Sequence, residues 1–161
     1  MVNPKTTIMF KKQLIVLCIA FLSITVIAAT AAAQNAPKAD HVALYVKDMD
    51  KSVAFYEKVM LFKPLADPFH SEEHVVWLQT GEHTQLHLIQ GAKDIPDRDM
   101  NIHYAYSVND LAAFMKRLDE LHIKYRSGNG EGKPQTRPDG VKQIYFQDPD
   151  NYWIEVNDDK F

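Results

Sequence analysis

Three histidines and one glutamate occupy the same two places in each half of an internal repeat, and three imidazole nitrogens with a carboxylate oxygen form a donor set for a divalent metal. The first place is set by His41-Val-Ala-Leu-Tyr-Val-Lys-Asp48, which recurs 62 residues later as His103-Tyr-Ala-Tyr-Ser-Val-Asn-Asp110, with His, Ala, Val and Asp coinciding. The second comes from a gapless alignment at an offset of 68, which lays residues 75–88 over residues 143–156 and so places His87 over Glu155. Nitrogen and oxygen donors of this kind suit zinc, nickel, iron or manganese and suit calcium poorly. The other histidines, His70, His74, His83 and His122, have no counterpart under either offset.

Those positions need elements to hold them. Each copy of the first segment alternates apolar and polar residues as a half-buried strand does, and each runs into an amphipathic helix, over residues 52–60 and 111–121. The second alignment reads as two β-hairpins, with turns at residues 80–83 and 148–151. A weaker strand near residues 62–65, and near Tyr125 in the other half, completes a βαβββ order twice. The fold class is therefore α+β, with two paired βαβββ modules forming a curved eight-stranded mixed sheet around a metal and ligand cleft, helices outside. Side chains alternate between faces of a strand, so His41, His87, His103 and Glu155 all point away from the helices. Tyr45, Trp77, Tyr145 and Trp153 share that face and are expected to line a substrate pocket. The change of offset puts six extra residues into 127–140. This Gly- and Pro-containing segment is expected to act as a lid, with Lys133 or Arg137 meeting an anionic substrate.

Two stretches carry a resemblance to a known family: HVALYVKDMDKSVAFYEKVM at residues 41–60 and QIYFQDPDNYWIEVND at residues 143–158. They resemble the vicinal oxygen chelate superfamily of glyoxalase, bleomycin-resistance and dioxygenase-like proteins, over about residues 40–158. The resemblance implies a metal with open positions that holds two substrate oxygens, and it maps the family's four metal positions onto His41, His87, His103 and Glu155. It also implies a small-molecule substrate and pairing as a homodimer. Glyoxalase I-like lyase or isomerase chemistry is the first expectation, with Glu155 and His87 as the catalytic pair. Glyoxalase I usually has a glutamate where His87 stands. An extradiol-type ring-cleaving dioxygenase is the second expectation, from His41, His103 and Glu155, and a noncatalytic binding or resistance protein the third.

The remainder of the sequence bounds these readings. Of 161 residues, 46% are hydrophobic and 24% charged, which fits one globular domain. Residues 1–33 carry three lysines and no acid, an apolar run and an alanine-rich end, the pattern of a cleaved secretory signal peptide. Residues 34–39 follow as a short linker, then a domain over 40–158 with modules at about 40–90 and 101–158. Export to a periplasm or to the exterior is the expectation, without stable membrane association after cleavage. The single cysteine, Cys18, falls inside that first segment, so neither a disulfide framework nor a cysteine-ligated metal site fits the rest. A net charge of −3, more negative once residues 1–33 are removed, argues against a nucleic-acid partner.

Overall fold

The computed structural model describes residues 36–67, 74–130 and 132–160. The expected signal sequence and His70 lie outside the described residues. The chain divides into two compact units, Met1–Ala39 and Asp40–Phe161. Residues 36–39 of the first are exposed and form neither helix nor strand. Among the described residues no helix is long and apolar enough to cross a membrane.

The second unit runs strand, helix and three strands, twice. The first module comprises β1 (His41–Val46), α1 (Met49–Lys58), β2 (Lys63–Pro64), β3 (Val75–Gln79) and β4 (Gln85–Gln90). The second comprises β5 (His103–Ser107), α2 (Leu111–Glu120), β6 (Gln135–Thr136), β7 (Lys142–Gln147) and β8 (Trp153–Asn157). Both helices begin at the repeated aspartate: Asp48 Oδ1 accepts from the Lys51 N–H at 3.2 Å, and Asp110 Oδ1 from the Ala113 N–H at 2.9 Å. Each cap satisfies a backbone donor that the first helical turn leaves without a partner. Both helices are followed by a residue in the left-handed region, Leu61 at φ 59° and His122 at φ 56°, which turns the chain back toward its sheet.

The repeat holds at the level of hydrogen-bond register. In both modules the first strand runs parallel to the last, with Ala43 opposite His87 and Ala105 opposite Glu155. The hairpins pair Trp77 with His87 and Tyr145 with Glu155, the same register displaced by 68 residues. The extra residues of the second half enter after Arg126, which exchanges two 2.8 Å backbone bonds with Tyr145 where Leu65 makes one to Trp77. They return as β6 on the edge of β7, with Gln135 opposite Gln143, so part of the segment expected as a lid is stitched to the sheet.

Alternation sorts the faces. Leu44, Val46, Leu86 and Leu88 in one module, and Ile144, Phe146, Ile154 and Val156 in the other, are fully or almost fully buried in one core with Phe55, Tyr56, Phe114 and Leu118 from the helices. Each such side chain contributes roughly 1.5–3 kcal/mol by leaving water. The expected α+β pair of modules is present, as two mixed sheets of four rather than one continuous sheet of eight. The orders are β1-β4-β3-β2 and β5-β8-β7-β6, which leaves β1 and β5 at sheet edges.

The physical reason is that the modules meet through other surfaces. Phe55 and Phe114 both pack on Phe146, with ring centroids 6.3 and 5.9 Å away, and Phe62 meets Tyr106 at 5.2 Å. The second hairpin's Asp-Pro-Asp-Asn turn is embedded in the first module. Asp148 accepts the Tyr56 hydroxyl at 2.7 Å on one oxygen and the N–H groups of Asp150 and Tyr152 on the other. Asp150 accepts from the Lys47 N–H and the Ser52 hydroxyl, both at 2.8 Å. Those carboxylates replace the water they lose with hydrogen bonds, which makes their burial tolerable. This turn leads directly into the strand that carries Glu155.

Candidate metal and substrate site

The four sequence-selected ligands arrive as two pairs. In the second module His103 Nε2 lies 3.3 Å from Glu155 Oε2. Two donors bonded at about 2.1 Å to adjacent positions of one ion stand about 3.0–3.4 Å apart, so this spacing fits a shared metal. His103 Nδ1 is 2.8 Å from the Met100 carbonyl, to which it donates, leaving the Nε2 lone pair facing Glu155.

In the first module His41 Nδ1–H donates to Asp40 Oδ2 at 2.6 Å, again leaving Nε2 with its lone pair. His87 Nε2–H donates to Gln85 Oε1 at 3.0 Å, which leaves Nδ1. Its ring stacks on His41, with centroids 4.2 Å apart and planes 13° apart, and meets the Trp77 ring at 3.8 Å with the planes 44° apart. Nearly parallel rings aim their in-plane lone pairs side by side, so one must tilt before both bond one ion. Burial, and after it the charge of His41, hold His87 below the usual imidazole value.

Each pair alone offers two donors. Among the described residues no three His, Cys, Asp or Glu side chains gather closely enough within one chain to hold an ion. The donor chemistry and the hydrogen bonds that orient the rings fit a divalent metal. The count does not, unless the two faces are brought together.

The faces are exposed along their edge strands only, and His87 and Glu155 themselves are buried, at 7% and 5% exposure. His41, Ala43 and Tyr45 on β1 are exposed, as are Ala105 and Ser107 on β5, and Tyr45 reaches 52% exposure. A groove of about 610 Å³ is lined by Ala105 and Ser107 of β5 together with residues 60–63 and 79–81 of the first module, another of about 1020 Å³ lies at residues 47–51 and 149–150, and none of the four candidate ligands lines either.

The expected pocket residues have distinct surroundings. Tyr45 leans over Gly91, where a Cβ would stand 2.5 Å from its hydroxyl. Trp77 covers His87. Trp153 is half-buried and fixed by donating Nε1–H to the Arg98 carbonyl at 2.8 Å. Tyr145 donates its hydroxyl to Glu155 Oε2 at 2.7 Å. Burial, and the carboxylate it touches, push that hydroxyl up to about 12, so it keeps its proton. Arg137 is paired with Asp139 and stands 3.7 Å from Asp159, with Glu155 within electrostatic range. Its charge is already partly neutralised, in contrast to the open anion-binding group expected from the sequence.

Sequence comparison decides the family. Residues 38–156 match the sequence profile of the Glyoxalase/Bleomycin resistance protein/Dioxygenase superfamily, nearly the whole of the second unit. The chain belongs to that superfamily. The metallothiol transferase FosB of Shouchella clausii (strain KSM-K16) is 32% identical over 120 residues, covering 73% of this chain and 77% of that protein. Glyoxylase I 4 of Arabidopsis thaliana is 28% identical over 124 residues, covering 73% and 68%. The crystal structure of the fosfomycin resistance protein FosX from Listeria monocytogenes shares the fold, with a TM-score of 0.63 at 19% identity over 78% of this chain and 96% of that one.

Within this superfamily domain, sequence reasoning overlooked Asp40, Gln85, Gln143 and Asn157, which hold the candidate ligands or their neighbours. Strand parity was the available signal for three of them. Gln85 shares a face with His87, and Gln143 and Asn157 share one with Tyr145 and Glu155.

Proposed function

We propose that this chain is a metal-dependent enzyme acting on a small molecule, in which His41 and His87 of one copy and His103 and Glu155 of a second copy hold one divalent ion. The observation that carries this reading is the split of a four-donor set into two oriented pairs, one in each sheet, each pair short of the donors an ion needs. A two-fold pair of chains that sets the β1 side of one beside the β5 side of the other would bring two half-sites together twice over.

When bound, the ion supplies a Lewis acid that stabilises an oxyanion or enolate on the substrate. The protein's part is position and proton transfer. His103 and Glu155 anchor, their orientation set by Met100 and Tyr145. His87, which burial holds below the usual imidazole value and which is bonded through Nε2 to Gln85, would present Nδ1 as the base that takes a substrate proton. Trp77, Tyr145 and Trp153 wall the substrate. Relatives named metallothiol transferase and glyoxylase I support a reaction of polar small molecules, and glyoxalase-like lyase or isomerase chemistry is the version proposed. Export through residues 1–33 belongs to the same proposal, and N-terminal sequencing of the exported protein should begin at Gln34.

The site is tested without knowing the substrate. A His41→Ala/His87→Ala variant and a His103→Ala/Glu155→Gln variant should each take up no zinc or manganese. Refolded together, they regain one intact site per mixed dimer, roughly a quarter of the wild-type metal content for random pairing. No recovery on mixing contradicts the shared site. Turnover of hemithioacetals or α-hydroxy carbonyls then supports the proposed chemistry, whereas oxygen uptake on a catechol with ferrous iron overturns it.

A further inference from the structure

The two halves have the same backbone and unlike surroundings for their last candidate ligand. In the second half Glu155 is gripped on both oxygens. Asn157 Nδ2–H donates to Oε1 at 2.7 Å, and the Tyr145 hydroxyl donates to Oε2 at 2.7 Å. Gln143 Nε2–H donates to the Tyr145 oxygen at 2.8 Å, which commits that hydroxyl's proton to Glu155. Gln143, Glu155 and Asn157 are all buried, with 7%, 5% and 5% exposure. The repeat supplies the comparison: the residues in register with Gln143 and Asn157 are Val75 and Ile89, so the first half has no such cradle. His87, in register with Glu155, has ring stacking and one bond to Gln85.

We infer that Asn157 and Gln143 are positioning residues that lock the Glu155 carboxylate in one rotamer, making it the fixed anchor of the site while His87 is the mobile donor. The reasoning is that a carboxylate bound by buried neutral donors on both oxygens loses them if it swings, and each buried donor left without an acceptor costs free energy. An anchor of that kind presents the same oxygen to an ion in every catalytic cycle. His87 has one side-chain hydrogen bond to lose on tilting where Glu155 has two, and the near-parallel His41 and His87 rings require such a tilt for both to bind. Proton transfer therefore falls to His87, and Glu155 is relieved of the shuttle role that the sequence allowed it.

This inference rests on the proposed metal site, and the experiment separates the two. Zinc and manganese affinities of the wild type, Asn157→Leu, Gln143→Leu and Asn157→Gln are measured by calorimetry, alongside crystal structures of the metal-free proteins. Loss of an outer hydrogen bond to a ligand typically weakens metal binding about 10–100-fold, so Asn157→Leu should lose at least tenfold. Asn157→Gln, which keeps an amide donor, should recover most of that loss, and Gln143→Leu should lose less than Asn157→Leu because it acts through Tyr145. In metal-free Asn157→Leu, or in Gln143→Leu should the former not fold, the Glu155 carboxylate should leave its wild-type rotamer. Affinity within twofold of wild type, or an unmoved carboxylate, overturns the positioning role. A wild type that binds neither ion overturns the functional reading instead, and the metal-free structures still decide whether Asn157 and Gln143 fix the carboxylate.

Discussion

Asp148 shows how one side chain serves two levels of this molecule. It closes the turn before β8 through its own backbone neighbours and ties that turn to Tyr56 of the first module. Burial raises its carboxyl from an ordinary 3.8 to about 6, against the hydrogen bonds that favour its charged form. Between those values the folded chain keeps a proton that the unfolded chain has lost, so this group's contribution to stability is present in full below about 4 and is lost as pH rises through about 6. That rise, from 3.8 to about 6, corresponds to about 3 kcal/mol. Asp148→Asn keeps the two acceptor bonds to the turn and removes the titration. Urea melts from pH 4 to pH 7 should therefore show the wild type losing stability relative to Asp148→Asn as pH rises, and parallel curves would show that the buried carboxyl does not govern the junction.

At the scale of elements, the glycine after β4 is the sharpest test of how strands present their side chains. Gly91 has φ 137°, a conformation L residues avoid, and a Cβ there would meet the Tyr45 hydroxyl at 2.5 Å. Gly91→Ala should cost about 1–3 kcal/mol in thermal or denaturant melts and displace Tyr45 from the open face, and an unaltered melt would contradict the strain. Much of this level was legible in sequence because strand parity and repetition act locally. The offsets of 62 and 68 reappear as strand register, and the face assigned to His41, His87, His103 and Glu155 is the face away from the helical core. What was not legible depends on contacts distant in sequence. Nothing in alternation says that α1 rests against Phe146 or that Asp150 reaches Ser52 across 98 positions. Arg137 was singled out for its charge, and of the two carboxylates beside it Asp139 is only two residues away while Asp159 comes from the far end of the chain.

At the scale of the whole molecule, a fold belonging to the glyoxalase, bleomycin-resistance and dioxygenase superfamily divides its candidate chemistry between two sheets that, among the described residues, share no strand pairing. The modules are joined through helices, aromatic rings, a buried acidic turn and the Tyr152 hydroxyl, which accepts from the Tyr45 N–H and donates to the Tyr45 carbonyl on β1, while β1 and β5 stay at sheet edges. The most direct test is an anomalous-difference map, collected at the metal edge from crystals grown with zinc or manganese. The account predicts one ion per chain, bonded at about 2.0–2.2 Å to His41 and His87 of one copy and to His103 and Glu155 of the other. An ion bound elsewhere, or clear density for all four side chains with no ion between them, would contradict it.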